Sequence, residues 1–285
     1  MIPAAFDYVR PSSVEEAVSA LGAAGEDGKV LAGGQSLLPV LRLRLAYPST
    51  IVDVGRIAEL QGVADDGDAI VIGAMTTHDD VLHDDLVRQH APVIAQATAT
   101  IADPQVRHRG TFGGALSHAD PAGDLGAVAL ALECTFDITG ANGARTVAAA
   151  DFFQDYLTTA IGPDEILTSI RVPKLGDGWS SHYEKFNRVA QAWSIVGVAA
   201  LVKRNNGSIE QARVGLTNMG TTPLRAGAVE SALTGANATA DAIGTAAEHA
   251  AEGTHAPSDL SGQADYREHL ARVLTKRAVI RAAGV

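Results

Sequence analysis

The chain has 285 residues, of which 46% are hydrophobic, and a formal net charge of −11. This length predicts one large or two medium domains, and the charge disfavours a surface for nucleic acid or anionic membrane. Cys134 is the only cysteine, so an internal disulfide and an iron–sulfur cluster held by this chain alone are both excluded. No apolar run is long enough to span a bilayer and no secretory signal is evident. We therefore expect a cytoplasmic protein, or one brought to the inner face of the membrane by partners.

The N-terminal part predicts alternating helices and strands. Ser13 and Glu16 resemble a capping box that starts a helix, and Gly22 is a plausible end for it. The further predicted elements are strands at 30–32, 50–54, 69–74 and 166–172, helices from Thr76 or Thr77 towards Leu86, at 92–101 and at 125–132, and a hairpin of 135–139 with 144–147.

The pattern changes after a linker at residues 173–178. Antiparallel strands are predicted at 183–187, 194–203 and 209–217, with Asn206-Gly207 as a strong hairpin signal between the last two. The chain is alanine-rich and helical from Ala226, and Asp265 can cap a final helix. We place the domain boundary between residues 1–176 and 177–285.

Two glycine-paired turns are the most informative motifs. Gly33-Gly34 is followed by Ser36, and Gly113-Gly114 is preceded by Thr111. Glycine allows backbone N–H groups to approach an anion, and successive N–H groups form a nest that suits phosphate. Each turn alone favours an ordinary tight turn, but the pair predicts a pyrophosphate held from both sides, although neither turn is a Rossmann fingerprint or a P-loop.

Two carboxylates follow the second turn. Asp120 and Asp124 are suited to a ribose or ribityl hydroxyl, whereas the structural alternative for each is a helix N-cap. Asp120, which precedes Pro121, fits the cap better than Asp124 does. Cys134 lies in an apolar run, so a buried side chain is favoured over a reactive thiol. The histidine spacing predicts no metal site.

Longer stretches around these motifs resemble a known family. Residues 32–39 and 101–114, with the trailing Asp120 to Asp124, resemble the FAD loops of the medium flavoprotein subunit of molybdenum hydroxylases. Within that family, residues 73–77, 101–105 and 215–218 resemble most closely the medium subunits of aerobic carbon monoxide dehydrogenases. The resemblance covers essentially the whole chain.

The resemblance implies an α+β fold. It comprises a vanillyl-oxidase (PCMH)-type FAD-binding domain of two α/β subdomains and a C-terminal domain with a three-stranded antiparallel sheet and helices. It also implies non-covalent FAD and no catalytic residue on this chain. The implied cofactor-binding residues are Ala32, Gly33, Gly34, Gln35, Ser36, Leu37, Ile101, Thr111, Gly113, Gly114, Ala115, Asp124, Leu167, Lys185 and Trp193.

Three of these residues depart from the family pattern. Gln35 stands where histidine is common, and Ala115 replaces asparagine or serine. Trp193 replaces the tyrosine that covers one face of the flavin ring, which removes a hydroxyl but keeps a stacking surface. Without the resemblance, Trp193 would be read as a core aromatic residue and Lys185 as a solvated lysine on a strand.

The implied function is electron transfer within an oxidoreductase complex. A large subunit would carry a molybdenum cofactor, and a small subunit would carry two [2Fe–2S] clusters that pass electrons to FAD in this chain and on to an external acceptor. The complex would be a dimer of heterotrimers, oxidising carbon monoxide with water to carbon dioxide. The alternatives are a related hydroxylase acting on N-heteroaromatics, aldehydes or aromatic thioesters, a stand-alone FAD oxidoreductase, or a phosphate-binding interaction module without flavin.

Overall fold

The computed structural model describes residues 2–285, which form three main sheets and the helices packed on them. The first sheet is parallel, with its central strand third in the chain. Its strands and helices are β1 (Asp7–Val9), α1 (Val14–Ala24), β2 (Gly28–Leu31), α2 (Leu37–Arg42) and β3 (Thr50–Asp53). Helix α1 buries Val14, Ala17, Val18 and Leu21 against this sheet.

The predicted end of helix α1 is wrong. Ser13 caps the helix as expected, accepting a hydrogen bond from the Glu16 backbone N–H. The helix continues through Gly22, however, and ends at Gly25, which has a φ of 65°. A positive φ favours glycine, whereas Gly22 occupies open helix surface.

The second sheet has five antiparallel strands in the order β4-β5-β10-β6-β7. These strands are β4 (Val63–Asp66), β5 (Ala69–Gly73), β6 (Thr135–Gly140), β7 (Gly143–Ala148) and β10 (Ile166–Pro173), with β8 (Phe153–Asp155) and β9 (Thr158–Thr159) forming a separate pair. The associated helices are α3 (His78–His83), α4 (Asp85–His90), α5 (Pro92–Ala99), α6 (Pro104–Arg107), α7 (Phe112–His118), α8 (Asp124–Ala131) and α9 (Ala149–Phe152).

The single helix predicted from Thr76 or Thr77 is two helices. Thr77 is the cap, since its hydroxyl accepts from the Asp80 N–H, but Asp84 is extended and caps helix α4 through the Val87 N–H. A side chain that satisfies an N–H at a new helix start competes with continuation of the preceding helix.

The third sheet has the order β11-β12-β13-β14 and is antiparallel. Its strands are β11 (Trp179–Phe186), β12 (Val196–Asn205), β13 (Ser208–Thr217) and β14 (Leu224–Arg225), and the helices are α10 (Gly227–Leu233), α11 (Ala240–Ala247) and α12 (Ala264–Ala283). The three predicted strands and the Asn206-Gly207 hairpin are confirmed, and the two-residue β14 is added. The α+β fold is therefore confirmed.

The predicted cap of the last helix is wrong. Helix α12 begins at Ala264 after Gln263, and Asp265 lies inside its first turn. There the carboxylate still complements the positive end of the helix dipole. Leu270, Leu274 and Ala278 belong to the C-terminal core.

Candidate functional site

One large cavity, of about 810 Å³, lies where the glycine turns meet helix α8 and strand β11. Its volume is within the range of about 300–1,000 Å³ typical of small-molecule sites. All fifteen residues implied by the resemblance line it, although they come from distant parts of the chain: Ala32, Gly33, Gly34, Gln35, Ser36, Leu37, Ile101, Thr111, Gly113, Gly114, Ala115, Asp124, Leu167, Lys185 and Trp193.

The first glycine turn offers a run of free backbone donors. Among residues 2–285, no acceptor pairs with the backbone N–H groups of residues 33–37. Gly34 has a φ of 75°, and Ser36 lies at the start of helix α2 without capping it through its hydroxyl. Consecutive unpaired N–H groups at a cavity wall are suited to an anion such as a diphosphate.

The second turn differs from the anion nest predicted for it. The N–H groups of Phe112 and Gly113 donate to Thr76 and Ala74 carbonyls, each at 2.9 Å. The Thr111 hydroxyl accepts a hydrogen bond from the Gly114 N–H at 3.1 Å, and the Thr111 carbonyl accepts one from the Ala115 N–H at 3.0 Å. Thr111 is therefore the cap of helix α7, and the N–H groups of residues 112–115 are already used inside the protein.

Glycine is required in both turns by contacts within the protein. A Cβ on Gly33 would collide with the Arg109 carbonyl oxygen, which brings the first turn directly against the second. A Cβ on Gly113 would lie 2.6 Å from Cα of Ala74. Glycine is therefore required at these positions partly because other parts of the chain pack closely against them, a reason that the sequence did not predict.

Asp124 is the centre of a buried hydrogen-bond network. Its Oδ1 accepts from Tyr183 Oη and Ser194 Oγ, each at 2.6 Å, and its Oδ2 accepts from Lys185 Nζ at 2.7 Å. Lys185 also donates to the Thr100 carbonyl at 3.2 Å. The Asp124 and Lys185 side chains are only 4% and 5% exposed, so they form a buried ion pair. Oδ2 accepts this one hydrogen bond within residues 2–285, so it retains acceptor capacity, and Asp124 lines the cavity.

Sequence reasoning missed two members of this network, Tyr183 and Ser194. Tyr183 and Lys185 alternate along strand β11, which places them on the same face. That alternation was the available signal, and it also argues against a solvated Lys185. Burial, followed by the Asp124 charge, raises the pKa of Tyr183 well above its ordinary value, so its hydroxyl stays a donor.

Trp193 lies on a loop at the cavity mouth and is 55% exposed, so it is not a core residue. Its ring centroid is 6.5 Å from that of His118. Gln191 on the same loop donates to Asp103 Oδ2 at 2.6 Å, across the mouth. This hydrogen bond holds the loop near the turn that contains Ile101.

Other predicted features have simpler outcomes. Asp120 accepts a hydrogen bond from the Ala122 N–H at 2.9 Å in a turn, and Gly123 rather than Asp120 is the cap of helix α8.

Cys134 is buried as predicted, and burial raises the pKa of its thiol. Within residues 2–285 we find no cluster of metal-binding side chains and no helix long and apolar enough to cross a membrane.

Comparison with known proteins identifies the two halves of this architecture. Residues 4–175 match the FAD binding domain in molybdopterin dehydrogenase, and residues 181–282 match the CO dehydrogenase flavoprotein C-terminal domain. The carbon monoxide dehydrogenase medium chain of Hydrogenophaga pseudoflava is 40% identical, covering 98% of this chain and 97% of the relative. The glyceraldehyde dehydrogenase medium chain of Sulfolobus acidocaldarius is 38% identical, covering 98% of each.

A solved structure agrees with these matches. The carbon monoxide dehydrogenase from Hydrogenophaga pseudoflava that lacks the Mo-pyranopterin moiety superimposes with a TM-score of 0.96 at 42% identity, covering 100% of this chain and 99% of its counterpart. The free N–H groups of residues 33–37 and the size of the cavity fit a flavin dinucleotide. The chain therefore belongs to the family of FAD-binding subunits of molybdopterin dehydrogenases, which are oxidoreductases, and its cofactor is FAD.

Proposed function

We propose that this chain is the FAD-carrying electron-transfer subunit of a carbon monoxide dehydrogenase. In this proposal a large molybdenum-binding subunit converts carbon monoxide and water to carbon dioxide, two protons and two electrons. A small [2Fe–2S] subunit delivers the electrons, and an external acceptor removes them. The end-to-end similarity to a carbon monoxide dehydrogenase medium chain carries the proposal. The single cysteine supports it, because the clusters must then lie on another subunit.

We assign the fifteen cavity residues as the FAD site. The N–H groups of residues 33–37 hold the diphosphate, and the free Oδ2 position of Asp124 accepts a cofactor hydroxyl. Trp193 provides a stacking surface for the ring at the mouth. When bound non-covalently here, FAD supplies the redox chemistry, while this chain binds and orients it.

We further propose the assembly and its location. The medium, large and small subunits would form a dimer of heterotrimers in the cytoplasm. Contact with the inner face of the membrane would be made through partners. The size of the intact complex, measured by light scattering, tests this assembly.

A second candidate is a related hydroxylase acting on an aldehyde. The glyceraldehyde dehydrogenase medium chain is almost as similar as the carbon monoxide dehydrogenase chain, at 38% against 40% identity. N-heteroaromatic and thioester substrates are weaker alternatives of the same kind. None of the fifteen proposed cofactor residues contacts substrate in this arrangement, so substrate has to be tested on the complex.

One preparation tests these possibilities. The protein is purified from its native source with its bound subunits, and the visible spectrum, iron, molybdenum and dye reduction are measured. We expect a flavin spectrum, iron and molybdenum, and dye reduction that depends on carbon monoxide. Dye reduction with glyceraldehyde alone would favour the second candidate. A flavin spectrum without partners would favour a stand-alone oxidoreductase, and a colourless chain unable to take up FAD would exclude every flavin function.

A further inference from the structure

Most backbone N–H groups in the wall formed by the second glycine turn are already used within the protein. The N–H groups of residues 112–115 are all paired within the protein. A dinucleotide whose diphosphate is held by the N–H groups of residues 33–37, as proposed above, would place acceptor oxygens between the two turns. Any hydrogen bond from this wall to those oxygens therefore has to come largely from side chains.

His78 is positioned to supply such a hydrogen bond. It is the first residue of helix α3, and its backbone N–H donates to the Gly110 carbonyl at 2.8 Å. A Cβ on Gly110 would lie 2.8 Å from Cδ2 and 3.2 Å from Nε2 of the imidazole. Gly110 adjoins Arg109, whose carbonyl contacts Gly33, so His78 borders the junction of the two turns. His78 and Gly110 both line the cavity.

The surroundings of the ring select its tautomer. Nδ1 is buried and has no hydrogen-bond partner within residues 2–285. Nε2 is not among the buried atoms that lack a partner. A proton on Nδ1 would be a buried donor without an acceptor, which is more costly than an unpaired lone pair. The proton is therefore placed on Nε2. Burial, and then the nearby charge of Arg107, lowers the His78 pKa to about 4, so the ring is neutral at physiological pH.

We propose that the Nε2–H of His78 donates a hydrogen bond to the diphosphate of FAD at the junction of the two glycine turns. His78 is thereby a positioning residue for the cofactor, in addition to the fifteen assigned above. The inference rests on FAD as the cofactor, but it does not depend on the substrate of the complex.

Two substitutions separate hydrogen bonding from packing. His78→Leu removes the donor and keeps an apolar side chain, whereas His78→Gln places an amide N–H near the position of Nε2. The full chain, with any subunits that copurify, is stripped of FAD, and the Kd values of FAD, ADP and riboflavin are measured by titration. We expect His78→Leu to raise the Kd values of FAD and ADP about 10-fold and the Kd of riboflavin by less than about 2-fold. We expect the Kd values of His78→Gln to stay within about 3-fold of those of the parent chain.

Several results would overturn the inference. Unchanged FAD affinity in His78→Leu would do so, as would an equal loss of riboflavin affinity, which would indicate a packing defect. If His78→Leu does not fold, ¹⁵N NMR of the parent chain decides: ADP should shift the Nε2–H resonance of His78, and a proton on Nδ1 or no shift would refute the proposal. Failure of the parent chain itself to bind FAD would refute the cofactor assignment as well.

Discussion

At the scale of single residues, the Asp124–Lys185 pair is the most constrained feature of the cavity. Two opposite charges are buried together, and three donors share one carboxylate. Breaking a buried pair costs more than its net contribution to stability, because the remaining charge has no partner. The pair should therefore contribute to the stability of the fold around the cavity.

Asp124→Asn should destabilise the protein by about 3–5 kcal/mol and reduce its FAD content, since the Lys185 ammonium would remain buried without a counter-ion. The free energy of unfolding in urea and the flavin absorbance measure both effects. The control is Asp124→Asn combined with Lys185→Met, which leaves no unpaired charge and should recover part of the stability. No recovery in the double variant would contradict this account.

His78 makes the stability of the FAD-free chain sensitive to acid. Its pKa is about 4 in the folded chain, against an ordinary value of 6.5. The unfolded chain therefore binds a proton more readily between these values, so the free energy of unfolding falls as the pH drops from about 6.5 to about 4. His78→Gln should show a shallower fall in urea unfolding over that interval. If the free energy of unfolding falls equally in the parent chain and in His78→Gln, the pH dependence does not come from His78.

At the scale of elements, the first glycine turn depends on a backbone conformation that L side chains rarely adopt. Gly34 has a φ of 75°, and a Cβ there would lie 2.9 Å from Leu38 Cδ1. Gly34→Val should therefore distort the turn and abolish FAD retention. Gly22→Ala is the matched control, because Gly22 is helical with open space around it, and it should keep FAD and stabilise helix α1 by about 1 kcal/mol. Normal flavin content in Gly34→Val would show that this turn does not hold the cofactor.

The loop that carries Trp193 should control how fast FAD leaves. Loss of an aromatic contact costs about 0.5–1.5 kcal/mol, so Trp193→Ala should raise the FAD dissociation rate about 2- to 10-fold. Trp193→Phe keeps a stacking surface, so its FAD dissociation rate should remain close to that of the parent chain. Stopped-flow displacement of FAD measures the rates. Equal rates for the alanine variant and the parent would exclude stacking by Trp193.

At the scale of the whole molecule, the two parts of the chain share one core. Helix α8 contributes Leu125 and Val128 to a cluster that also contains Ala199 and Leu201 of strand β12. Gly215 of strand β13 approaches the Ala127 carbonyl so closely that a Cβ would collide with it. The Asp124 network crosses the same boundary.

This shared core predicts that the parts stay together without a covalent link. A specific protease site introduced at Gly176, which has open space around it, should be cleavable without separating residues 1–176 from 177–285 in gel filtration. Residues 177–285 expressed alone should lack cooperative unfolding, because their inner sheet face would be exposed. Separation of the cleaved fragments would instead favour two independent domains.

Local patterns account for what sequence reasoning predicted correctly. The strand alternation and the Asn206-Gly207 turn are local signals, and the predicted strands match within a few residues. Gly22 and Asp265 were assigned wrongly because several neighbouring residues could serve as the helix end or start. Tyr183 was missed because it meets Asp124 from 59 positions away.

The sequence by itself determined the family, the FAD cofactor and fifteen of the residues that line the cavity, through its glycine motifs and the family resemblance. Only the tertiary structure decided which donors are free. The N–H groups of residues 33–37 have no acceptor, whereas those of residues 112–115 are used by the protein. It also decided that Asp124 is paired with Lys185 and that His78 borders the cavity. The physical reason is that a polar group's remaining bonding capacity depends on neighbours brought to it by folding.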